Sequence, residues 1–161
     1  MFIVFFVMGK SRVTPLKKVT IPRLELTAAT VAVRTDKLIK SELEIPIHIS
    51  KFWTDSLTVI KYIRNFTSRF NTFVASRLSV IHEATQIQQW RYVSTDENPT
   101  DDASRSLTST KLKGNSRWLN GPEFLWKSEI EWPSIPLDCD NLNIMNENDP
   151  EVNSTKKTML P

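Results

Sequence analysis

His48-Ile49-Ser50-Lys51-Phe52-Trp53-Thr54-Asp55-Ser56 joins a strand-forming run to the start of a helix. Its β-branched and aromatic residues, opened by Pro46 and Ile47, predict a short strand over Ile47–Trp53. A carboxylate, Asp55, closes that strand. Ser56 then caps a helix running to about Asn65, in which Leu57, Ile60 and Ile63 recur at helical spacing. A strand followed at once by a helix predicts an α/β architecture. In open α/β sheets ligands gather beyond the carboxyl ends of the strands, so Asp55 stands where chemistry is usually done. It is equally suited to capping the helix beside Ser56.

Upstream, Thr20-Ile21-Pro22 reads as a helix start, with Thr20 at the N-cap and Pro22 in the first turn. That helix is expected to reach about Glu44, with Leu24, Ala28, Val31, Thr35 and Leu38 on one face and Glu25 beside it. A carboxylate there also suits a helix N-terminus without further purpose. Between Gly9 and Lys18 lies a basic connection with Lys10, Arg12, Lys17 and Lys18. The apolar opening, Met1–Met8, is too short to span a bilayer and lacks a basic lead, so Phe2–Met8 is expected to be a strand buried on both faces.

Downstream, a helix is predicted from Asn71 to Gln88, with Val74, Leu78 and Ile81 on its buried face and Arg77 off it. His82 within it has no second His or Cys at ligand spacing and reads as a surface or packing residue. Gln89–Ser94 predicts another short strand. Asp96-Glu97-Asn98-Pro99-Thr100-Asp101-Asp102 is an acidic turn leading into a helix. Trp118, Phe124, Trp126 and Trp132 are expected to fold back as an apolar flap, a stacking platform for nucleic-acid bases being the functional alternative.

Charge divides the 161 residues unequally. Residues 1–132 carry 19 Lys and Arg against 13 Asp and Glu, and residues 133–161 carry 2 against 5. A basic body suits a polyanion partner. The acidic stretch is rich in Pro and Asn and loses periodicity, so the expected division is one domain over 1–132 and a largely disordered tail over 133–161. A single cysteine, Cys139, excludes an internal disulfide framework and a Cys-rich zinc site. With no signal peptide or transmembrane segment in view, the expected compartment is cytoplasmic or nuclear.

Glu25, Asp55 and Asp101 are three acids, each beside a helix start or a strand end. Hard divalent ions take oxygen ligands. Two such ions about 4 Å apart activate a water and stabilise the leaving oxygen of a phosphodiester. The chain resembles the ribonuclease H-like region of BEL/Pao-type LTR retrotransposon polyproteins. The resemblance is carried by Ser11-Arg12-Val13-Thr14-Pro15-Leu16-Lys17, Ile21-Pro22-Arg23-Leu24-Glu25-Leu26, Phe52-Trp53-Thr54-Asp55-Ser56, Gln89-Trp90-Arg91-Tyr92-Val93, Asn98-Pro99-Thr100-Asp101-Asp102-Ala103-Ser104-Arg105 and Gly121-Pro122-Glu123-Phe124-Leu125-Trp126. These ordered motifs extend over roughly residues 5–133.

The resemblance implies a ribonuclease H-like fold cleaving the RNA strand of an RNA–DNA hybrid. Glu25, Asp55 and Asp101 would be both catalytic and metal-binding, with Asp102 in reserve for Asp101 and Mg²⁺ or Mn²⁺ as the ion. Lys10, Lys17, Lys18 and Arg105 would meet nucleic-acid phosphates. Reverse transcriptase and integrase regions of a parent polyprotein are the implied neighbours. The family's first catalytic aspartate lies on a strand preceding the one matched by Phe2–Met8. The chain is therefore expected to be an incomplete ribonuclease H-like fold, its first two strands missing and its activity lost. The alternative expectation is a non-catalytic remnant that binds nucleic acid weakly or serves as an interaction module.

Overall fold

Helix α1, Ile21–Glu42, opens at Thr20, whose backbone is extended and whose side chain makes no cap hydrogen bond; Pro22 lies in the first turn. It ends at Leu43, whose N–H donates to the Ile39 carbonyl. This is a computed structural model, and it describes residues 4–104, 116–135, 145 and 149–153. Its buried stripe is Leu26, Ala29, Thr30 and Val33, not the expected one: Ala28 and Leu38 face solvent. At 3.6 residues per turn the two stripes lie roughly half a turn apart. Apolar and small residues surround α1, so its own pattern does not choose a face; packing on α2 and α3 does.

Strand β1, Phe52–Thr54, lies parallel to β2, Trp90–Tyr92, with Phe52 opposite Trp90 and Thr54 opposite Tyr92. The Phe52 and Trp90 rings stack with centroids 4.8 Å apart. Both strands are shorter than predicted. Ile47 and Ile49 favour extended structure, but β-propensity is realised only against a neighbouring strand, and Ile49 is exposed.

Helices α2, Leu57–Arg64, and α3, Thr72–Ala84, form the crossover between the strands. Ser56 Oγ accepts from the Val59 N–H, which fixes the start of α2. Asn65 closes it, its Oδ1 accepting from the Thr67 and Ser68 amides. Val59, Ile60, Tyr62 and Ile63 are all buried, so α2 is enclosed on several sides. Val74, Leu78 and Ile81 of α3 are buried as their spacing predicts. The helix stops four residues early, at Ala84, where Thr85 turns back to the Ile81 carbonyl. His82 packs as expected, bonded to the Ile63 carbonyl and stacked on Phe66.

After β2 come α4, Pro99–Ser104, and a short helix α5, Arg117–Asn120. The result is helix-rich α/β with a two-stranded parallel sheet among the described residues. Residues 4–8, expected within a buried strand, form none, and Phe5 is 77% exposed. An apolar run specifies burial without specifying a partner, and no described strand pairs with it. Its contacts are local to α5: Phe6 meets the Trp118 ring, and Val4 closes on Gly121. Gly121 has φ 74°, and a Cβ there would come within 2.8 Å of Val4.

Of the expected tail, 133–161, most lies outside the described residues, but a few positions beyond Ile135 are described and pack on the body. Met145 is buried, and Asp149–Asn153 dock on the body, with Val152 bridged to Phe70. Among the described residues no helix is long and apolar enough to cross a membrane.

Candidate acidic site at the carboxyl end of the sheet

Parallel pairing places the carboxyl ends of β1 and β2 side by side, and the Val93 N–H continues the pairing to the Thr54 carbonyl at 3.0 Å. Asp55 follows β1 directly. It is half-buried and makes no hydrogen bond or ion pair with the described residues. Capping of α2 falls to Ser56 alone, and Thr54 Oγ1 accepts from the Ser56 amide at 3.1 Å.

Glu25 reaches the same corner. Its Oε2 accepts from Ser56 Oγ at 2.5 Å, while that oxygen accepts from the Val59 N–H at 3.2 Å. One hydroxyl thus ties α1 to the N-terminus of α2 and brings Glu25 to Ser56, the residue that follows Asp55. Glu25 is the fifth residue of α1 and lies beyond its first turn. Attraction to the helix N-terminus fades past that turn and does not account for it.

Asp101 follows β2 and sits in the first turn of α4, its N–H donating to the Asn98 carbonyl. Asn98 Oδ1 accepts from both the amide and the hydroxyl of Thr100. Asp102 is held by Arg117 through two hydrogen bonds of 2.5 and 2.7 Å, and Arg117 also donates to the Asp96 carbonyl. The Asp102 partnership raises the Arg117 pKa further.

The fold therefore ties Glu25 to Ser56, next to Asp55 in the chain, and sets Asp101 after the adjoining strand. Yet among the described residues no three His, Cys, Asp or Glu are grouped so that they could hold a metal ion. The three acids do not fit a Mg²⁺ or Mn²⁺ set as they stand. Nor do they line either of two open clefts among the described residues, of about 450 and about 370 Å³.

Lys10, Lys17 and Lys18 are exposed beside Arg12, and Arg105 lies outside the described residues. The aromatic flap forms in part. Phe124 is buried and meets Trp53 at 4.8 Å, and Trp132 meets Trp53 at 5.6 Å. Arg91 lies over Trp53 and Trp132 and pairs with Glu129, which also takes Lys51 at 3.2 Å. Trp126 remains 46% exposed, with its ring nitrogen donating to the Asn120 carbonyl.

Two partnerships escape a reading along the sequence: Arg23 with Glu151, and Tyr62 with Asp149. The only sequence signal for either is an acid within a stretch whose composition reads as unstructured.

Parallel strands crossed over by helices, with acids following both strand ends, define a helix-rich α/β architecture. Residues 2–56 match the family model of the Pao retrotransposon-like RNaseH-like domain. That stretch, holding Glu25 and Asp55 and stopping short of Asp101, is similar to the ribonuclease H-like region of Pao-type retrotransposons. No curated protein and no solved structure matches the chain.

Proposed function

We propose that this chain is a ribonuclease H-like region of a Pao-type retrotransposon polyprotein, that it keeps the family's nucleic-acid partner, and that residues 1–161 alone do not cleave it. The family similarity over residues 2–56 supports the first part. The second is supported by the exposed basic connection: Lys10, Lys17 and Lys18 are open to solvent and would meet phosphates without giving up a partner among the described residues. Arg105 would join them. The observation that carries the third is the acid arrangement: Asp102 is taken by Arg117, Glu25 by Ser56, and among the described residues no three acids are grouped for a metal.

The fold is then an incomplete ribonuclease H-like sheet, flanked in the polyprotein by reverse transcriptase and integrase regions. A catalytic reading is second. It is favoured by Asp55, half-buried and without a partner among the described residues, with Glu25 tied to the next residue, Ser56. In it, Glu25, Asp55 and Asp101 take up Mg²⁺ or Mn²⁺ once the site is completed.

The experiment is hybrid binding and cleavage by residues 1–161, in Mg²⁺ and in Mn²⁺, over a salt series. The expected result is weak, salt-sensitive binding, reduced in a Lys17→Gln, Lys18→Gln variant, with no cleavage above background. Cleavage abolished by Asp55→Asn would establish the catalytic reading. Binding that ignores both salt and the lysine changes would remove the nucleic-acid partner.

A further inference from the structure

Five residues of the acidic segment are held by a groove between the first turn of α1, α2 and the link before α3. Glu151 is 4% exposed, and its carboxylate takes two bonds from Arg23: Nε at 2.6 Å and Nη2 at 3.0 Å. Asp149 accepts from the Tyr62 hydroxyl at 3.1 Å. The backbone is gripped as firmly. The Asn71 N–H donates to the Glu151 carbonyl at 2.8 Å, and its side-chain amide donates to the Pro150 carbonyl at 2.9 Å. The Asn153 N–H donates to the Arg69 carbonyl at 2.7 Å, and Val152 bridges Phe70 in antiparallel fashion. Main-chain bonds along an edge, with separate side-chain sites at alternate positions, are how a folded domain recognises an extended peptide.

We propose that this groove is a docking site for an acidic peptide of the form Asp-Pro-Glu-Val-Asn, that the chain's own Asp149–Asn153 occupies it in cis, and that docking fixes the first turn of α1. Two carboxylate sites, the Arg23 guanidinium and the Tyr62 hydroxyl, select the acids, and a β-branched residue at 152 packs against the core. The start of α1 gains from such a fixture. Thr20 makes no side-chain cap, so the turn rests locally on Pro22 and on the Leu24 N–H donating to the Thr20 carbonyl, and Glu151 adds a long-range tie through Arg23. Glu25, two residues on, is then held in place for Ser56.

Amide hydrogen exchange on the full chain tests this. In Glu151→Gln the amides of Asn71, Asn153 and Leu24 should exchange about tenfold faster, as expected when one charged hydrogen bond is lost. The Thr85 amide, bonded to Ile81 within α3, should not change. Joining Arg23→Glu to Glu151→Arg should restore protection at the first three. If Glu151→Gln also exposes Thr85, Tyr62→Phe becomes the probe, and Asn153 should still loosen before Thr85. Unchanged exchange at Asn71, Asn153 and Leu24 overturns the docking site. Protection that weakens on dilution overturns cis docking and assigns the groove to a second copy. Because exchange and not cleavage is read, the outcome is independent of what the chain does to a hybrid.

Discussion

Glu151 and Asp55 are both acids pulled inward, with opposite fates. Glu151 is nearly sealed from solvent, and the Arg23 guanidinium compensates it through two hydrogen bonds. Asp55, half-buried at the end of β1, has no such neighbour among the described residues. Burying a charge without a partner costs far more than burying a paired one. Structure accordingly accounts for Glu151 and leaves Asp55 to be explained by what it meets. An acid at a sheet end is a stronger functional candidate when no fold contact consumes it.

The largest expected effect removes what both regions share. Leu26 is fully buried one residue beyond Glu25, and Leu26→Ala should cost about 2–5 kcal/mol in urea unfolding. It should loosen the docked segment and the Glu25–Ser56 contact together. A loss below about 1 kcal/mol would show that α1 is not their common anchor.

Next, Glu151→Gln should cost about 1–3 kcal/mol, and the cost should depend on pH. Arg23 holds the Glu151 carboxyl below its ordinary range. Its contribution is therefore complete above the ordinary Glu pKa, about 4.3, and is lost as pH falls through the lower folded value. Burial, with Asp149 beside it, pushes the Tyr62 hydroxyl up. Its contribution is complete below the ordinary Tyr pKa, about 10, and is lost as pH rises from there toward the folded value. Melting curves from acid to alkali should show both flanks, and Glu151→Gln should flatten the acid one most, with a smaller change in the alkaline one because the Glu151 charge also raises Tyr62.

Smaller still, Ser56→Ala removes the α2 cap and Glu25's partner and should cost about 0.5–2 kcal/mol. Asp55→Asn should change stability by less than about 0.5 kcal/mol. Should Asp55→Asn destabilise as much as Glu151→Gln, the contrast between the two acids would collapse and Asp55 would be structural.

Local chemistry decided much of the middle of the chain. Ser56 and Asn65 bound α2 because their side chains satisfy end groups of that helix, a requirement met within a few residues. Val74, Leu78 and Ile81 give α3 one apolar stripe, so its buried face was legible. Asp55 could be set after a strand end and Asp101 at a helix start from equally local signals. Tertiary structure alone decided the rest. The face of α1 was chosen by α2 and α3, because α1 offers apolar residues on all sides. The strands shrank to three residues each because pairing needs a neighbour, and residues 4–8 found none described. Glu151 and Asp149 read as tail by composition, yet a guanidinium and a hydroxyl more than 80 residues away capture them. Such a contact leaves no periodicity in the sequence, since it depends only on where the fold brings Arg23 and Tyr62.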